Sequence, residues 1–329
     1  MHITKPNNHI PQIGDNDSGR FFKFQPVYNK MTVAEAKKRY LNLEGYDDLP
    51  DDAIYWDEDF LDHRHLVAAI NGLFARKDFA TFAGSGWLET NIVTGLAGCI
   101  CLASYKKADE PAAAEKVRIA TSDNELRQLR RELEAYPESQ KQTMKIPLPD
   151  GAADNLQLYA YPDFGLYIYR SNRLYLSIRC GSVGQNGNGG HAHNDQLSIE
   201  LNIDGNDVIT DPGTYLYTPL PARRNEYRSV KAHFAPQLDG REPGNLSIGL
   251  FVTGNPPKAE VLSFTEAKFF GWHDGYGMPC CRVIKFDDSS VTVMDINKFE
   301  GSYPLNKILS TLDKKVFFSP AYGKLKTVY

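Results

Sequence analysis

The spacing of apolar residues is helical in the first half of the chain and alternating in the second. One helical set follows the acidic residues 57–59 and consists of Leu66, Ala69, Ile70, Leu73 and Phe74. A second set precedes Pro137 and consists of Leu126, Leu129 and Leu133. The capping-box pairs Thr32–Glu35 and Ser122–Glu125 mark two helix starts. A further helix is predicted within Trp87–Ser104.

After the turn residues Pro147, Pro149 and Gly151, apolar residues recur at every second position. Two of the alternating sets are Leu174, Leu176, Ile178 and Leu197, Ile199, Leu201, Ile203. Such sets predict half-buried antiparallel strands, and many short strands favour a β-sandwich. We therefore predict an α+β chain with a helical region over 1–150 and a β-sandwich over 151–329.

Composition narrows the possible partners. The 329 residues are 42% hydrophobic and carry a formal net charge of −4, with no long basic run. Nucleic acid and acidic membrane surfaces are therefore not expected partners, and no apolar stretch is long enough to span a bilayer. This composition does not exclude a polyanionic substrate, because a local cluster of Arg and Lys can bind one. The five cysteines form no CxxC pair, so neither a disulfide framework nor a Cys-rich zinc site is expected. The sequence predicts no particular oligomeric state.

The most informative segment is GQNGNGGHAHNDQLSIEL, which contains His191 and His193. Its glycines, Gly187, Gly189 and Gly190, allow a loop that passes close to another group. If the backbone is extended here, both histidines point to the same face as Leu197, which is the inward face. Buried polar side chains require partners, so the pair needs a physical reason.

A metal ion is one such reason. His193, Asp211 and His233 together would offer nitrogen and oxygen ligands suited to zinc. One alternative is a pair of ordinary histidines with satisfied hydrogen bonds. Another is an oxygenase-type triad of two histidines and one carboxylate, in which Asp195 replaces Asp211.

Other side chains near this segment could act on a substrate. His191 can take or give a proton near neutral pH, and Tyr227 could share that work. Arg224 and Arg228 could clamp a carboxylate, and Asn186 is predicted to bind substrate with them. The alternative for Tyr227 is a strand tyrosine whose hydroxyl group faces water. The alternative for the two arginines is a solvated loop. The loop GDNDSGR, residues 14–20, could hold a cation, although a tight turn is the favoured interpretation.

Several of these segments together resemble the heparinase II/III-like polysaccharide lyases. GGHAHND followed by DPGTYLYT carries the specific part of the likeness, and RNEYRS and AHF extend it. PQIGDNDSGR, DHRHLVAAINGLFARKDF, HDGY and FSPAYG also resemble bacterial members. The likeness therefore touches most of the chain.

The resemblance implies an incomplete α/α toroid, an antiparallel β-sandwich and β-elimination on uronic-acid-containing polysaccharides. By position, His193, Asp211 and His233 match the zinc ligands, and His191 matches a histidine that faces the substrate. Tyr227 matches an active-site tyrosine of some members. An anionic polysaccharide or oligosaccharide is then the expected partner, and Zn²⁺ the expected cofactor with a structural or site-organising role. Periplasmic or secreted action is implied, although the polar start Met1–Ile10 is not typical of a signal peptide.

In such lyases the toroid also supplies a tyrosine and an Asn or His that neutralises the carboxylate. These residues lie upstream of the loop that GDNDSGR resembles, so we expect only the last toroid helices in this sequence. That expectation leaves two hypotheses open. One is a polysaccharide lyase, possibly incomplete as this chain, and the other is a non-catalytic carbohydrate-binding or structural zinc-containing β-sandwich.

Overall fold

The computed structural model describes residues 1–16, 23–99, 118–137, 141–238, 240–297 and 317–327. The described residues of the N-terminal part form a two-stranded antiparallel sheet and four helices. Their bounds are β1 (Tyr28–Thr32), α1 (Val33–Arg39), β2 (Ile54–Glu58), α2 (Arg64–Phe74), α3 (Lys77–Ala83) and α4 (Leu88–Cys99). Among the described residues, no helix is both long and apolar enough to cross a membrane. The predicted kinship of these helices with an α/α toroid stays a prediction.

One helix start is confirmed and another is wrong. The Thr32 hydroxyl accepts the N–H of Glu35 at 3.2 Å, and the Thr32 N–H donates to the Glu35 carboxylate at 2.7 Å. These two bonds form the predicted capping box. The acidic run does not begin α2, because Asp57 lies in β2 and accepts a hydrogen bond from the Tyr40 hydroxyl. The helix begins instead at Arg64.

The helix α2 packs through small side chains. Ala68 is buried, whereas Leu66 and Ile70 of the helical apolar set are 37% and 45% exposed. A Cβ added at Gly72 would lie 2.6 Å from the carbonyl oxygen of Thr90 in α4, so glycine permits this close approach. The predicted helix is therefore confirmed, and part of its apolar set is exposed. Helix α4 confirms the helix expected within Trp87–Ser104 as far as Cys99, and residues 100–104 lie outside the described part.

The remaining elements form a β-sandwich. Their bounds are β3 (Ile119–Ala120), α5 (Asn124–Glu134), β4 (Lys141–Pro147), β5 (Gln157–Tyr161), β6 (Leu166–Arg170), β7 (Leu174–Arg179), β8 (Ile199–Ile203), β9 (Asn206–Ile209), α6 (Pro221–Arg228), β10 (Ala259–Phe264), β11 (Lys268–His273), β12 (Cys280–Asp287) and β13 (Ser290–Asn297). One sheet has the order β3-β10-β11-β12-β13-β4 and the other β5-β6-β7-β8-β9, with antiparallel pairing throughout. The predicted α+β class and antiparallel sandwich are confirmed.

Helix α5 covers the outer side of the six-stranded sheet. Its Leu133 packs with Leu262 and Phe270. The cap is Asp123, which accepts the N–H groups of Glu125 and Leu126, so the capping box predicted at Ser122 is wrong. The Asp123 carboxylate, one position later, accepts from these first-turn donors instead. Strands β3 and β4 precede residue 150 and still belong to this sheet, while the division of domains at that residue stays a prediction.

The two sheets share one apolar core. Side chains from both inner faces meet there, and the ring of Tyr169 in β6 lies 4.9 Å from that of Phe264 in β10. Every residue of β7 and β8 is buried, which shows that these strands are covered on both faces. Burial of this apolar surface is the main favourable contribution to folding of the sandwich.

A buried arginine connects the six-stranded sheet to the two segments that carry the histidines. Arg282 of β12 forms a two-bond pair with Asp295 of β13, both at 2.7 Å. The same guanidinium donates to the carbonyl oxygens of Leu197 at 2.7 Å and Phe234 at 2.5 Å. These two carbonyl groups belong to the segments that carry His193 and His233. Arg282 therefore fixes both histidine segments to the rigid sheet.

Candidate functional site

The two histidines of the His-x-His pair point in different directions. His191 has a left-handed backbone (φ 52°), and the strand begins only at Ile199. The His191 side chain is 69% exposed, whereas that of His193 is fully buried. The prediction of an extended segment with both histidines inward is therefore wrong. The turn at His191 breaks the alternation on which that prediction rested.

The glycine-rich loop passes close to the protein's own backbone. A Cβ on Gly189 (φ 75°) would lie 2.2 Å from the carbonyl oxygen of Thr253, and the Thr253 N–H donates to the carbonyl oxygen of Gly189 at 2.9 Å. The N–H of His191 donates to the carbonyl oxygen of Phe251 at 2.8 Å. The glycines thus allow the segment around Phe251–Thr253 to hold the unusual backbone of His191 in place.

Asp15 is the central acceptor of the site. One carboxylate oxygen lies 3.0 Å from Nδ1 of His191, and the other lies 3.1 Å from Nε2 of His193 and accepts from Arg224. Burial works to raise the pKa of Asp15, but the bonds from His193 and His191 and the charge of Arg224 hold it below its ordinary value. This residue was not among the predicted site residues. It lies in the loop of residues 14–20, of which 17–20 lie outside the described part, so the turn predicted there stays a prediction.

The second buried histidine lies beside the first. His233 follows a short 3₁₀ turn at Val230–Ala232, and its ring centroid is 5.3 Å from that of His193. Nδ1 of His233 lies 2.5 Å from the carboxylate of Asp211, which follows β9. Burial lowers the pKa of His233, but the Asp211 charge and hydrogen bond outweigh it and raise the pKa overall. Burial is the main cause that lowers the pKa of His193.

The predicted zinc ligands are thus neighbours. In the part of the chain that the structure describes, no group of three or more His, Cys, Asp or Glu side chains forms a ready-made metal site. Two buried nitrogens, Nδ1 of His193 and Nε2 of His233, nevertheless have no hydrogen-bond partner there. Buried polar atoms without partners are costly, and a metal ion bound to both would remove that cost. Asp211 bonds the other nitrogen of His233, Nδ1, so its role as a third zinc ligand stays a prediction.

Helix α6 supplies the buried arginines. Arg224, Tyr227 and Arg228 lie on one face because positions i, i+3 and i+4 coincide on a helix, and all three are buried. Arg224 lies under Tyr217, with its guanidinium carbon 5.3 Å from the ring centroid. Arg228 donates at 2.8 Å to the carbonyl oxygens of Gly249 and Val252. Burial, followed by the charge of Arg224, lowers the pKa of Arg228 to about 10.

These contacts bear on the roles predicted for α6. The Tyr227 hydroxyl donates to the carbonyl oxygen of Phe317 at 2.6 Å, so it is engaged within the protein. Arg224 and Arg228 are likewise directed at protein acceptors. Their predicted substrate and acid/base roles stay predictions. The observed geometry gives the arginines a structural task, in which they hold Asp15 and the turn around His191.

A cleft opens beside His191. Its volume is about 520 Å³, and its lining includes Ile13, Phe164, Arg179, Ser182, Asn186 and His191. Asn186 is exposed, as a substrate-binding residue requires, with a left-handed backbone (φ 53°). Asp195, the carboxylate of the oxygenase alternative, also lines this cleft and lies 4.0 Å from Nε of Arg179. A larger open cleft of about 730 Å³ beside Glu242 contains none of the predicted site residues.

Comparison with known proteins agrees with the β-sandwich fold. Residues 153–302 match the family model described as heparinase II/III-like, C-terminal. This match covers less than half of the chain, and it confirms the resemblance for that part. No curated protein matches the chain.

Solved structures with similarity to the chain include two heparin or heparan sulfate lyases. The heparinase III BT4657 gene product has 15% identity and a TM-score of 0.36, and the match covers 73% of this chain and 40% of that one. The heparan sulfate lyase HepC from Pedobacter heparinus has 18% identity and a TM-score of 0.32, with 68% of this chain and 35% of that one covered. The chain thus spans 40% or less of either protein, and TM-scores this low carry no further argument.

Proposed function

We propose that this chain carries the histidine site of a polysaccharide lyase that cleaves uronic-acid-containing polysaccharides by β-elimination. The observation that carries the proposal is the placement of His191. Its ring is exposed beside a cleft, while its Nδ1 is bonded to the buried carboxylate of Asp15. A histidine held in this way directs Nε2 towards a substrate. The match of residues 153–302 to the heparinase II/III-like model supports the same proposal.

The reaction needs a base, an acid and a positive charge. The base removes the proton on the carbon next to the uronate carboxylate, and the electron pair left behind forms a carbon–carbon double bond. The bond from the neighbouring carbon to the glycosidic oxygen breaks, and an acid protonates that oxygen. A positive charge near the carboxylate stabilises the intermediate. We assign the base to His191. Tyr227 could act as the acid only by exchanging its bond to Phe317.

Zinc is the second part of the proposal. His193, Asp211 and His233 would hold the ion. The two nitrogens without partners support the two histidines, whereas Asp211 would have to exchange its bond to Nδ1 of His233 to become the third ligand. When bound, the ion supplies a fixed positive charge that orders the two histidine segments. We expect His193→Ala to lose most of its bound zinc, measured by elemental analysis of the purified chain. The matched control is His273→Ala, which removes another buried histidine and should retain the zinc of the parent.

A carbohydrate-binding protein without catalysis is the second candidate. An aromatic group beside Arg224 favours it: the Tyr217 ring lies 5.5 Å from Phe251 and 5.1 Å from Tyr322. Partly exposed aromatic rings can stack on sugars. Sugar binding without any reaction would support this candidate over the lyase.

Ultraviolet absorbance separates the two. The purified chain is incubated with a panel of uronate polysaccharides, because β-elimination leaves an unsaturated uronate that absorbs in the ultraviolet. A rise that His191→Ala abolishes and His2→Ala preserves would support the lyase. The control, His2, is a second exposed histidine and bonds Tyr161 away from this site. Absence of product on every substrate, with zinc present and sugar bound, would contradict the lyase proposal.

A further inference from the structure

Asp15 joins the exposed and the buried histidine through separate oxygen atoms. The oxygen that faces His191 is not the one that faces His193 and Arg224. The Asp15 side chain is itself 4% exposed. Its backbone is also fixed, because the Asp15 N–H donates to the carbonyl oxygen of His191 at 3.2 Å. The carboxylate is therefore placed by the fold and cannot simply rotate into solvent.

The residues around Asp15 strengthen this placement. The N–H of Asn16 donates to the Thr214 hydroxyl at 2.8 Å, and that hydroxyl donates to the carbonyl oxygen of Gly14 at 3.1 Å. A Cβ on Gly14 (φ 61°) would lie 2.7 Å from the carbonyl oxygen of His191. Only glycine allows the loop to come this close to the His191 turn.

The geometry determines where the histidine protons lie. Beside the buried guanidinium of Arg224, Asp15 is a carboxylate and only accepts hydrogen bonds. A lone pair on Nδ1 of His191 or Nε2 of His193 would face a carboxylate oxygen at 3.0–3.1 Å and repel it. The protons therefore lie on these two nitrogens. Nη1 of Arg224 is 3.3 Å from the same Nε2, which is longer and leaves the carboxylate as the nearer partner.

We propose that Asp15 is a positioning residue that selects the tautomers of His191 and His193 at the same time. In His191 it leaves the lone pair on Nε2, the nitrogen away from Asp15, as a base requires. In His193 it leaves the lone pair on Nδ1, the buried nitrogen without a partner. The base role of His191 rests on the proposed function, whereas the selection of tautomers does not.

Nitrogen NMR of the full chain with ¹⁵N-labelled histidine tests this inference. In the parent protein we expect the proton of His191 on Nδ1 and that of His193 on Nε2. Asp15→Asn places an NH₂ group where one carboxylate oxygen was, and an NH₂ group needs a lone pair opposite it. At least one of the two histidines should therefore change its tautomer. A parent protein with the His191 proton on Nε2, or a variant with both tautomers unchanged, would overturn the proposal.

Asp59→Asn is the matched control. Asp59 also bonds a histidine, His9, at 3.0 Å, but neither residue contacts the site. This change should alter the signals of His9 and leave those of His191 and His193 as they are. If Asp15→Asn fails to fold, the tautomers of the parent protein still decide the question. Measuring these tautomers requires no polysaccharide, so failure of β-elimination and failure of this inference remain distinguishable.

If the chain cleaves a polysaccharide, its kinetics give a second measurement. We expect Asp15→Asn to lower kcat by about 10–100-fold, as is common for residues that orient a functional histidine, with little change in KM. Asp15→Glu keeps the carboxylate and should recover part of the loss. Equal losses in kcat for both variants, with unchanged tautomers, would reduce Asp15 to a packing role.

Discussion

The sandwich and the N-terminal helices use their apolar side chains differently. In the sandwich, every residue of β7 and β8 is buried, and the two sheets close on a common core. In the helices, Leu66 and Ile70 of α2 and Leu96 of α4 are exposed, and α2 meets α4 through Gly72. An apolar period in a sequence therefore predicts an element, whereas burial depends on what the rest of the fold places against it.

Loss of the buried arginine should be the most damaging change to the sandwich. Arg282→Leu leaves the carboxylate of Asp295 buried without its partner and removes the donors for Leu197 and Phe234. We expect the free energy of unfolding to fall by about 3–5 kcal/mol, measured by urea denaturation. Arg118→Leu is the control, because its pair with Glu266 is exposed and should change little. An unchanged urea midpoint for Arg282→Leu would contradict the importance of this pair.

Leucines from the two regions test the comparison directly. Leu176 is fully buried in β7, and Leu96 is 53% exposed in α4. Leu176→Ala should cost about 2–5 kcal/mol of unfolding free energy. Leu96→Ala should stay within about 0.5 kcal/mol of the parent. Thermal and urea denaturation measure both, and equal losses would show that Leu96 is covered in solution.

The last expected effect is a change of stability with pH at the contact between the N-terminal segment and the sandwich. Glu200 of β8 is buried against Lys5, and burial raises its pKa from 4.5 to about 7. At pH values between 4.5 and about 7, the Glu200 carboxyl has lost its proton in the unfolded chain and keeps it in the folded chain. Stability from this group is thus complete below pH 4.5 and is lost as the pH rises through about 7.

Glu200→Gln should remove this part of the pH dependence, measured as the urea midpoint at several pH values from 4 to 8. Glu132→Gln is the control, because Glu132 is an exposed carboxylate of α5. An identical pH profile for the parent and Glu200→Gln would show that Glu200 ionises normally in the folded protein.

Local signals predicted much of the fold. The Thr32–Glu35 box, the helical set at Leu126–Leu133 and the alternating strands all appear in the structure, because each depends on residues a few positions apart. Where several nearby groups can do the same job, as with Ser122 and Asp123 at the start of α5, sequence spacing alone did not choose correctly.

The site was harder to predict for a physical reason. The pairing of Asp211 with His233 agrees with the predicted set, although their roles towards a metal stay predictions. The opposite directions of His191 and His193 follow from one left-handed residue held by Phe251. No alternation pattern contains that information. The bonds of Asp15 cross 176 and 178 positions in the sequence, so no local spacing indicates them.

These long separations have a consequence for folding. The first sixteen residues are fastened across the sandwich by bonds from Lys5 and Gln12 to Glu200 and from Asp15 to His191. Contacts so distant in sequence close the largest loops and bring the greatest entropic cost before any gain. The chain can therefore assemble its sheets from hairpins first. We expect the histidines to gain their final orientation only in the last step of folding, when the N-terminal segment docks.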